Sequence, residues 1–187
     1  DYPDVYLSTG LVAENHVREA GVSREEQDAF ALRSHQRAVA AIEAGRFRDE
    51  IVPLQVQQAV PADGNGHGHG HGHGHGSGPT VRTFTFDTDE GPRSDTSLEA
   101  LGALRPAFHI KGSVTAGNSS QTSDGAAALV VTSRERAERA GLTPMARFVA
   151  YATAGVEPER FGVGPVPAIK KVLARTGLTL DDIDLVE

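Results

Sequence analysis

The chain has 187 residues, 39% hydrophobic and 23% charged, which is enough to bury a core as one ordinary domain or two small ones. A net charge of −7 argues against a broad nucleic-acid surface, and the absence of cysteine excludes disulfides, thiolate zinc sites and a cysteine nucleophile within these residues. The longest apolar run, residues 126–131, is far too short to cross a bilayer and no signal peptide is recognised, so we expect a cytoplasmic protein without a membrane partner.

The N-terminal part is predicted to be helical. Residues 9–20 form a first helix with Thr9 as its cap. A second helix begins at a capping box made by Ser23 and Glu26 and is closed by Gly45, which suits the left-handed turn after a helix. The predicted inner faces are Ala13, Val17 and Ala20 in the first helix and Phe30, Ser34, Ala38, Ala41 and Ile42 in the second.

Two strands, at 50–60 and 80–88, are predicted to form a hairpin. Between them residues 64–78 alternate histidine and glycine, and so much glycine predicts a flexible, exposed insert, because no buried surface offsets its entropy. In an extended tract the imidazoles of one side could bind Zn²⁺ or Ni²⁺, so a metal-binding or interaction module remains an alternative, and an engineered tag is a further one. The histidines are His67, His69, His71, His73 and His75.

The rest of the chain alternates helices and strands, which predicts an α/β layered sheet for roughly the last seventy residues. Helices are predicted within 97–108, 133–140 and 165–176, and strands at 126–131, 145–151 and 182–186.

Residues 113–131 combine a hydroxyl-rich turn with a run of apolar residues. General catalytic templates are absent: the sequence contains no GxGxxG, GxxxxGK[ST], HExxH or GxSxG motif. His16 and His35 are predicted to be solvated on helix surfaces, His109 lacks an obvious partner, and Asp124 is predicted to be a turn residue. From these residues alone, the turn could be either a site or a simple loop.

Five consecutive phrases together resemble one family. They are "SREEQDAFALRSHQRAVAAIEAGRFRDEIVPL", "DEGPRSDTSLEALGALRPAF", "GSVTAGNSSQTSDGAAALVV", "GLTPMARFVAYATAGVEPERFGVGPVPAIKKVL" and "DIDLVE". Their order and content are similar to the middle of a thiolase, the family of acetyl-CoA acetyltransferases and 3-ketoacyl-CoA thiolases. The resemblance implies an α/β, thiolase-like layered α-β-α-β-α fold, here partial, with an inserted α+β loop domain. The resemblance then implies that residues 1–112 are the loop domain with its disordered insert at 64–78. Residues 113–140 would end the first half of the fold, and residues 141–187 would begin the second half.

The resemblance also implies a coenzyme A site. Arg93 would lie by the nucleotide end, Phe108 would form an apolar wall, and Ala116 and Ser120 would contact the pantetheine arm. A guanidinium suits phosphates, an aromatic ring suits adenine, and a serine hydroxyl can bond an amide. The alternatives are that Phe108 is a core residue, Ser120 a simple turn residue and Arg93 a surface charge.

The sequence also departs from the family. Thiolases commonly carry His-Met-Gly where this chain has Ser8, Thr9 and Gly10, which puts the acyl-chain preference in doubt. The family's nucleophilic cysteine is expected upstream of Asp1, and its asparagine, histidine and second cysteine downstream of Glu187. Acyl transfer needs a thiolate, a base and oxyanion donors, so no catalytic residue is assigned and the chain alone is not expected to catalyse thiolysis.

The implied parent reaction is thiolysis of a 3-ketoacyl-CoA, as in fatty-acid β-oxidation, or its reverse condensation. Coenzyme A is then a substrate, with no permanently bound cofactor and no metal. The partners implied are acyl-CoA, CoA and further copies of the protein in a homodimer or homotetramer. The rival hypothesis is a non-catalytic thiolase-like subunit that binds CoA or lipid.

Overall fold

The computed structural model describes residues 3–60 and 80–187, so the histidine–glycine tract lies outside the described residues. The chain divides into a smaller unit, Arg33–Asp95, and a larger unit, Asp1–Leu32 with Thr96–Glu187. The helices and strands are α1 Thr9–Ala20, α2 Arg24–Glu43, β1 Leu54–Val60, β2 Thr80–Phe86, α3 Leu98–Gly102, α4 Arg134–Arg139 and α5 Pro165–Thr176. Short 3-10 turns occupy Pro3–Tyr6, Pro158–Val163 and Leu180–Asp182.

The ends of the N-terminal helices follow local capping chemistry. Helix α1 has the predicted range, but its cap is Ser8 rather than Thr9, because the Ser8 hydroxyl accepts the Leu11 N–H at 3.4 Å. Helix α2 begins at the predicted capping box. The Ser23 N–H donates to Glu26 at 2.8 Å and the Glu26 N–H donates to the Ser23 hydroxyl at 3.1 Å. These hydrogen bonds lower the pKa of the exposed Glu26 carboxyl.

The buried faces of these helices differ from the predicted ones. Helix α1 buries Glu14 together with Gly10 and Val12, and helix α2 buries Asp28, whereas Phe30 is 65% exposed. The prediction was wrong for Ala20, Phe30 and Ser34, which are exposed, because it scored apolar periodicity alone; the other predicted inner residues are half-buried. A loop about ninety to a hundred residues away in the sequence covers both carboxylates. Its Val114 N–H bonds to Glu14 and its Asn118 amide bonds to Asp28.

The smaller unit contains the predicted hairpin. Strands β1 and β2 pair antiparallel, with Leu54 opposite Phe86, and β1 starts directly after Pro53, which has no N–H to donate to a sheet. A cross-strand hydrogen bond of 2.7 Å joins the Gln55 amide to the Thr85 hydroxyl. The hairpin prediction is therefore confirmed.

The C-terminal part confirms the predicted helices but not the predicted strands. Helices α3 and α4 start at Ser97 and Ser133, whose hydroxyls cap them, and α5 has the predicted bounds. No strand forms within residues 96–187, and in 126–131 Leu129, Val130 and Val131 are each nearly 90% exposed. A strand is stabilised by hydrogen bonds to a neighbouring strand, and this part of the chain supplies none.

The core of the larger unit is small. Its buried apolar side chains are Val12, Leu101, Val114 and Ala137. Thr115 is fully buried beside them, and Glu14 and Asp28 are the other buried polar residues of the described chain. None of the helices in the described residues is long and apolar enough to span a membrane.

Candidate functional site

The hydroxyl-rich turn is anchored beside the segment that carries Phe108. Pro106 and Thr115 form an isolated antiparallel bridge, and the Ala107 N–H donates to the Val114 carbonyl at 2.9 Å. The larger unit thus places the chain leading to Phe108 alongside the chain leading to Ala116.

Helix α1 holds the start of the turn through the Glu14 carboxylate. The Ser113 N–H lies 3.1 Å from each carboxylate oxygen, and the Val114 N–H donates to Oε1 at 2.9 Å. Charge-assisted bonds of this kind are stronger than bonds between neutral groups. A Cβ at Gly112 would overlap the same carboxylate, so only glycine permits this close approach.

The Asn118 side chain holds the end of the turn. Its Oδ1 accepts the Thr115 N–H at 2.7 Å, while its Nδ2 donates to the Ser113 carbonyl at 3.1 Å and to Asp28 Oδ1 at 3.0 Å. The Ser119 hydroxyl donates to the Thr115 carbonyl at 2.6 Å. One amide therefore closes the turn on itself and ties it to helix α2.

Asp28 joins this turn to a third element. Its Oδ2 forms a 2.7 Å ion pair with Arg24, four residues earlier on the same helix. The Arg24 guanidinium also donates to the carbonyls of Leu101 and Leu104, at 2.6 and 3.1 Å. Asp28 is thus the acceptor that links α2, the end of α3 and Asn118.

Three of the candidate coenzyme A contacts lie in the larger unit, and all three are solvent-accessible. Ala116 and Ser120 are exposed, and the Ser120 hydroxyl forms no hydrogen bond with other described residues. Phe108 is 41% exposed, so it is not a core residue. Its ring packs against Gly10, where a Cβ would overlap it.

The fourth candidate, Arg93, belongs to the smaller unit. Its guanidinium faces the Asp95 carboxylate in a two-point contact of 3.1 and 3.0 Å, and its backbone N–H donates to His35 Nδ1 at 3.1 Å. The hydrogen bond and the opposite charge lower the pKa of Asp95 and raise that of Arg93. His35, predicted to be solvated, instead accepts this hydrogen bond through its Nδ1.

His16 was also predicted to be solvated, and that prediction was wrong for its Nε2. This nitrogen is buried and has no hydrogen-bond partner among the described residues. It faces Gly162, where an added Cβ would come within 2.8 Å of it. Across the residues that the structure describes, no group of three or more histidine, aspartate or glutamate side chains could hold a metal ion.

Replacing His16 with leucine is expected to raise the free energy of unfolding by about 1 kcal/mol, because a buried polar atom without a partner costs about 1–3 kcal/mol. His16→Gln, which keeps a polar group there, is the control and should give no gain. Urea unfolding followed by circular dichroism measures both. A leucine variant no more stable than the glutamine variant would contradict the assignment of Nε2 as unpartnered.

Sequence reasoning singled out the turn but missed Glu14, Arg24 and Asp28. The spacing of Arg24 and Asp28, four residues apart on a helix, was a visible signal of an ion pair. Glu14 left no such signal, since its partners are backbone N–H groups that every sequence contains.

Comparison with known proteins agrees with the resemblance. The family model "Thiolase, N-terminal domain" matches residues 4–135 and "Thiolase, C-terminal domain" matches residues 142–187. A Bacillus subtilis 3-ketoacyl-CoA thiolase is 48% identical over 99% of this chain and 44% of its own length. Acetyl-CoA acetyltransferases from Pseudomonas aeruginosa and Escherichia coli are each 47% identical over 95% of the chain and 40% of their own lengths.

A solved structure supports the same assignment. The crystal structure of the Bacillus anthracis acetyl-CoA acetyltransferase superposes with a TM-score of 0.83 at 42% identity, covering 99% of this chain and 42% of that one. The predicted thiolase-like α/β fold class is thereby confirmed, and the chain spans less than half the length of these relatives. With its described residues matched almost throughout, the chain belongs to the thiolase family.

Proposed function

We propose that this chain is the coenzyme A-binding middle section of a thiolase that transfers acyl groups between CoA thioesters. The reaction would be thiolysis of a 3-ketoacyl-CoA or the reverse condensation of two acyl-CoA molecules. The observation that carries the proposal is the exposed turn of Ala116 and Ser120 beside the segment of Phe108, in a chain whose relatives are named for these reactions.

In this proposal the residues of the turn, Phe108 and Arg93 bind the ligand and take no part in breaking bonds. The acyl group would pass to a cysteine thiolate that lies outside the chain, since none of its 187 residues is cysteine. The Ser120 hydroxyl would bond an amide of pantetheine, and Phe108 would shield the ligand from water. Arg93 would interact with the nucleotide end of coenzyme A once the Asp95 carboxylate shares the Arg93 guanidinium with the ligand or releases it. The homo-oligomeric state and the cytoplasmic location remain predictions.

Titration calorimetry of the intact polypeptide with coenzyme A tests this function. Ser120→Ala and Arg93→Ala are each expected to weaken binding by about five- to tenfold, the loss of one hydrogen bond or charge contact. Asp95→Asn, which frees the guanidinium, should instead strengthen binding about two- to threefold at low salt. Arg37→Ala, which removes another exposed arginine of the smaller unit, is the control and should leave the affinity unchanged.

Two outcomes would separate the alternatives. Absence of coenzyme A binding by the unmodified polypeptide would reject the proposed function. The second outcome is that coenzyme A binds but no acyl transfer occurs, even when the polypeptide that bears the cysteine is present. That result would favour the alternative of a non-catalytic subunit, which is consistent with the lack of cysteine in these residues.

A further inference from the structure

We propose that Glu14 is the positioning residue of the turn at 113–120, and that its carboxylate sets the backbone geometry in which Ala116 and Ser120 meet the ligand. This inference rests on the coenzyme A-binding function proposed above. Glu14 itself is on helix α1 and would not touch the ligand.

The burial of Glu14 is unusual for a carboxylate, because no cation pairs with it among the described residues. Its residue surface is 9% exposed, and the described bonds to its oxygens come from the backbone N–H groups of Ser113 and Val114. Burying a charge is costly unless hydrogen bonds compensate for its lost hydration. The arrangement therefore persists only while these two N–H groups stay aimed at the carboxylate, which makes the carboxylate and the turn mutually dependent.

Glu14 acts at one end of the turn and Asn118 at the other. Ala116 lies between these anchors and Ser120 follows them, and both are exposed, whereas Val114 and Thr115 are buried. The backbone that carries the exposed Ala116 and Ser120 is therefore held in place by the Glu14 carboxylate and the Asn118 amide. Small displacements of a positioning backbone can weaken ligand interactions strongly, because hydrogen bonds depend steeply on distance and angle.

Loss of the carboxylate would leave the N–H groups of Ser113 and Val114 without an acceptor in a largely buried place. The turn would then shift until water or another group satisfied them, since buried backbone donors are almost always paired. A glutamine at this position keeps one oxygen. Placed at the Oε1 position, that oxygen could still accept from both Ser113 and Val114.

A double-mutant cycle tests this role with coenzyme A as the probe. In the intact polypeptide, Glu14→Ala is expected to weaken binding about tenfold, and Glu14→Gln to recover most of that loss. If Glu14 acts through the turn, Ser120→Ala should cost far less in the Glu14→Ala background than alone. Asn15→Ala is the matched control, because Asn15 is the next residue of α1 and bonds to the Glu159 carbonyl rather than to the turn.

Each variant is first checked by circular dichroism, and calorimetry is run well below its unfolding temperature. Should Glu14→Ala not fold, the cycle is run with Glu14→Gln, for which a two- to threefold weakening and the same non-additivity are expected. Additive effects of the Glu14 and Ser120 variants, or unchanged affinity in the Glu14 variants, would overturn the inference and leave the proposed function intact. Failure of the unmodified polypeptide to bind coenzyme A would reject both.

Discussion

Replacing Asp28 with alanine is expected to lower the free energy of unfolding by about 3 kcal/mol, near the lower end of what removing one partner of a buried ion pair costs. The Asp28 side chain is 5% exposed and that of Arg24 is 21% exposed, so the guanidinium that loses its partner is still partly hydrated. The variant also leaves the Asn118 amide without the acceptor that ties it to helix α2. Chemical unfolding monitored by circular dichroism measures the change.

Two further variants separate the charge from the helix. Asp28→Asn keeps the shape and one acceptor but not the charge, and should lose about half as much stability. Glu25→Ala removes an exposed carboxylate from the same helical turn and should change stability by no more than about 0.5 kcal/mol. Equal losses in the Asp28 and Glu25 variants would show that Asp28 matters only as a charge near the start of the helix.

Replacing Gly117 with alanine is expected to destabilise the larger unit by about 2 kcal/mol, within the usual cost of overpacking. The added Cβ would lie 2.5 Å from Leu104 Cδ1 and 2.6 Å from Leu101 Cδ2, both far inside van der Waals contact. Leu104 is partly exposed and can move, but Leu101 is only 3% exposed and has little room to change rotamer. The turn must therefore lift away from α3, and coenzyme A affinity should fall with stability.

Gly102→Ala is the matched control, because a Cβ there would meet nothing within 4 Å. It lies at the end of α3, where alanine favours the helix, so a neutral or slightly positive change is expected. The two variants are compared by the midpoint of urea unfolding and by titration with coenzyme A. If Gly117→Ala proves as harmless as Gly102→Ala, the close packing of the turn on Leu101 is not a constraint.

Local chemistry explains which elements could be predicted from the sequence. The capping box of Ser23 and Glu26 and the left-handed Gly45 lie at the two ends of α2 and act through interactions within a few residues. The hairpin of β1 and β2 was predictable too, because both segments have strand character, residues 80–88 alternate, and each strand is the other's partner. The predicted strands at 126–131, 145–151 and 182–186 did not form, since a strand requires a partner that its own sequence does not contain.

The candidate site divides in the same way. Arg93, Phe108, Ala116 and Ser120 could be named from the resemblance to thiolases, and their roles as ligand contacts are the predictions that titration with coenzyme A tests. The exposure of the last three agrees with such roles. Asp95 follows Arg93 by only two residues in the sequence. Only the structure shows that its carboxylate contacts the Arg93 guanidinium at two points.

By itself the sequence determined the family, the positions of the helices, the hairpin and the lack of a cysteine nucleophile within these residues. Only the tertiary structure decided what lies beneath the turn. Glu14 and Asp28 meet residues 113–118 across about ninety to a hundred positions of chain, through bonds of 2.9–3.1 Å. Glu14 binds backbone N–H groups, which every residue but proline carries, and Asp28 binds the Asn118 side chain ninety positions away, so both contacts depend on the path of the chain and not on a local sequence pattern.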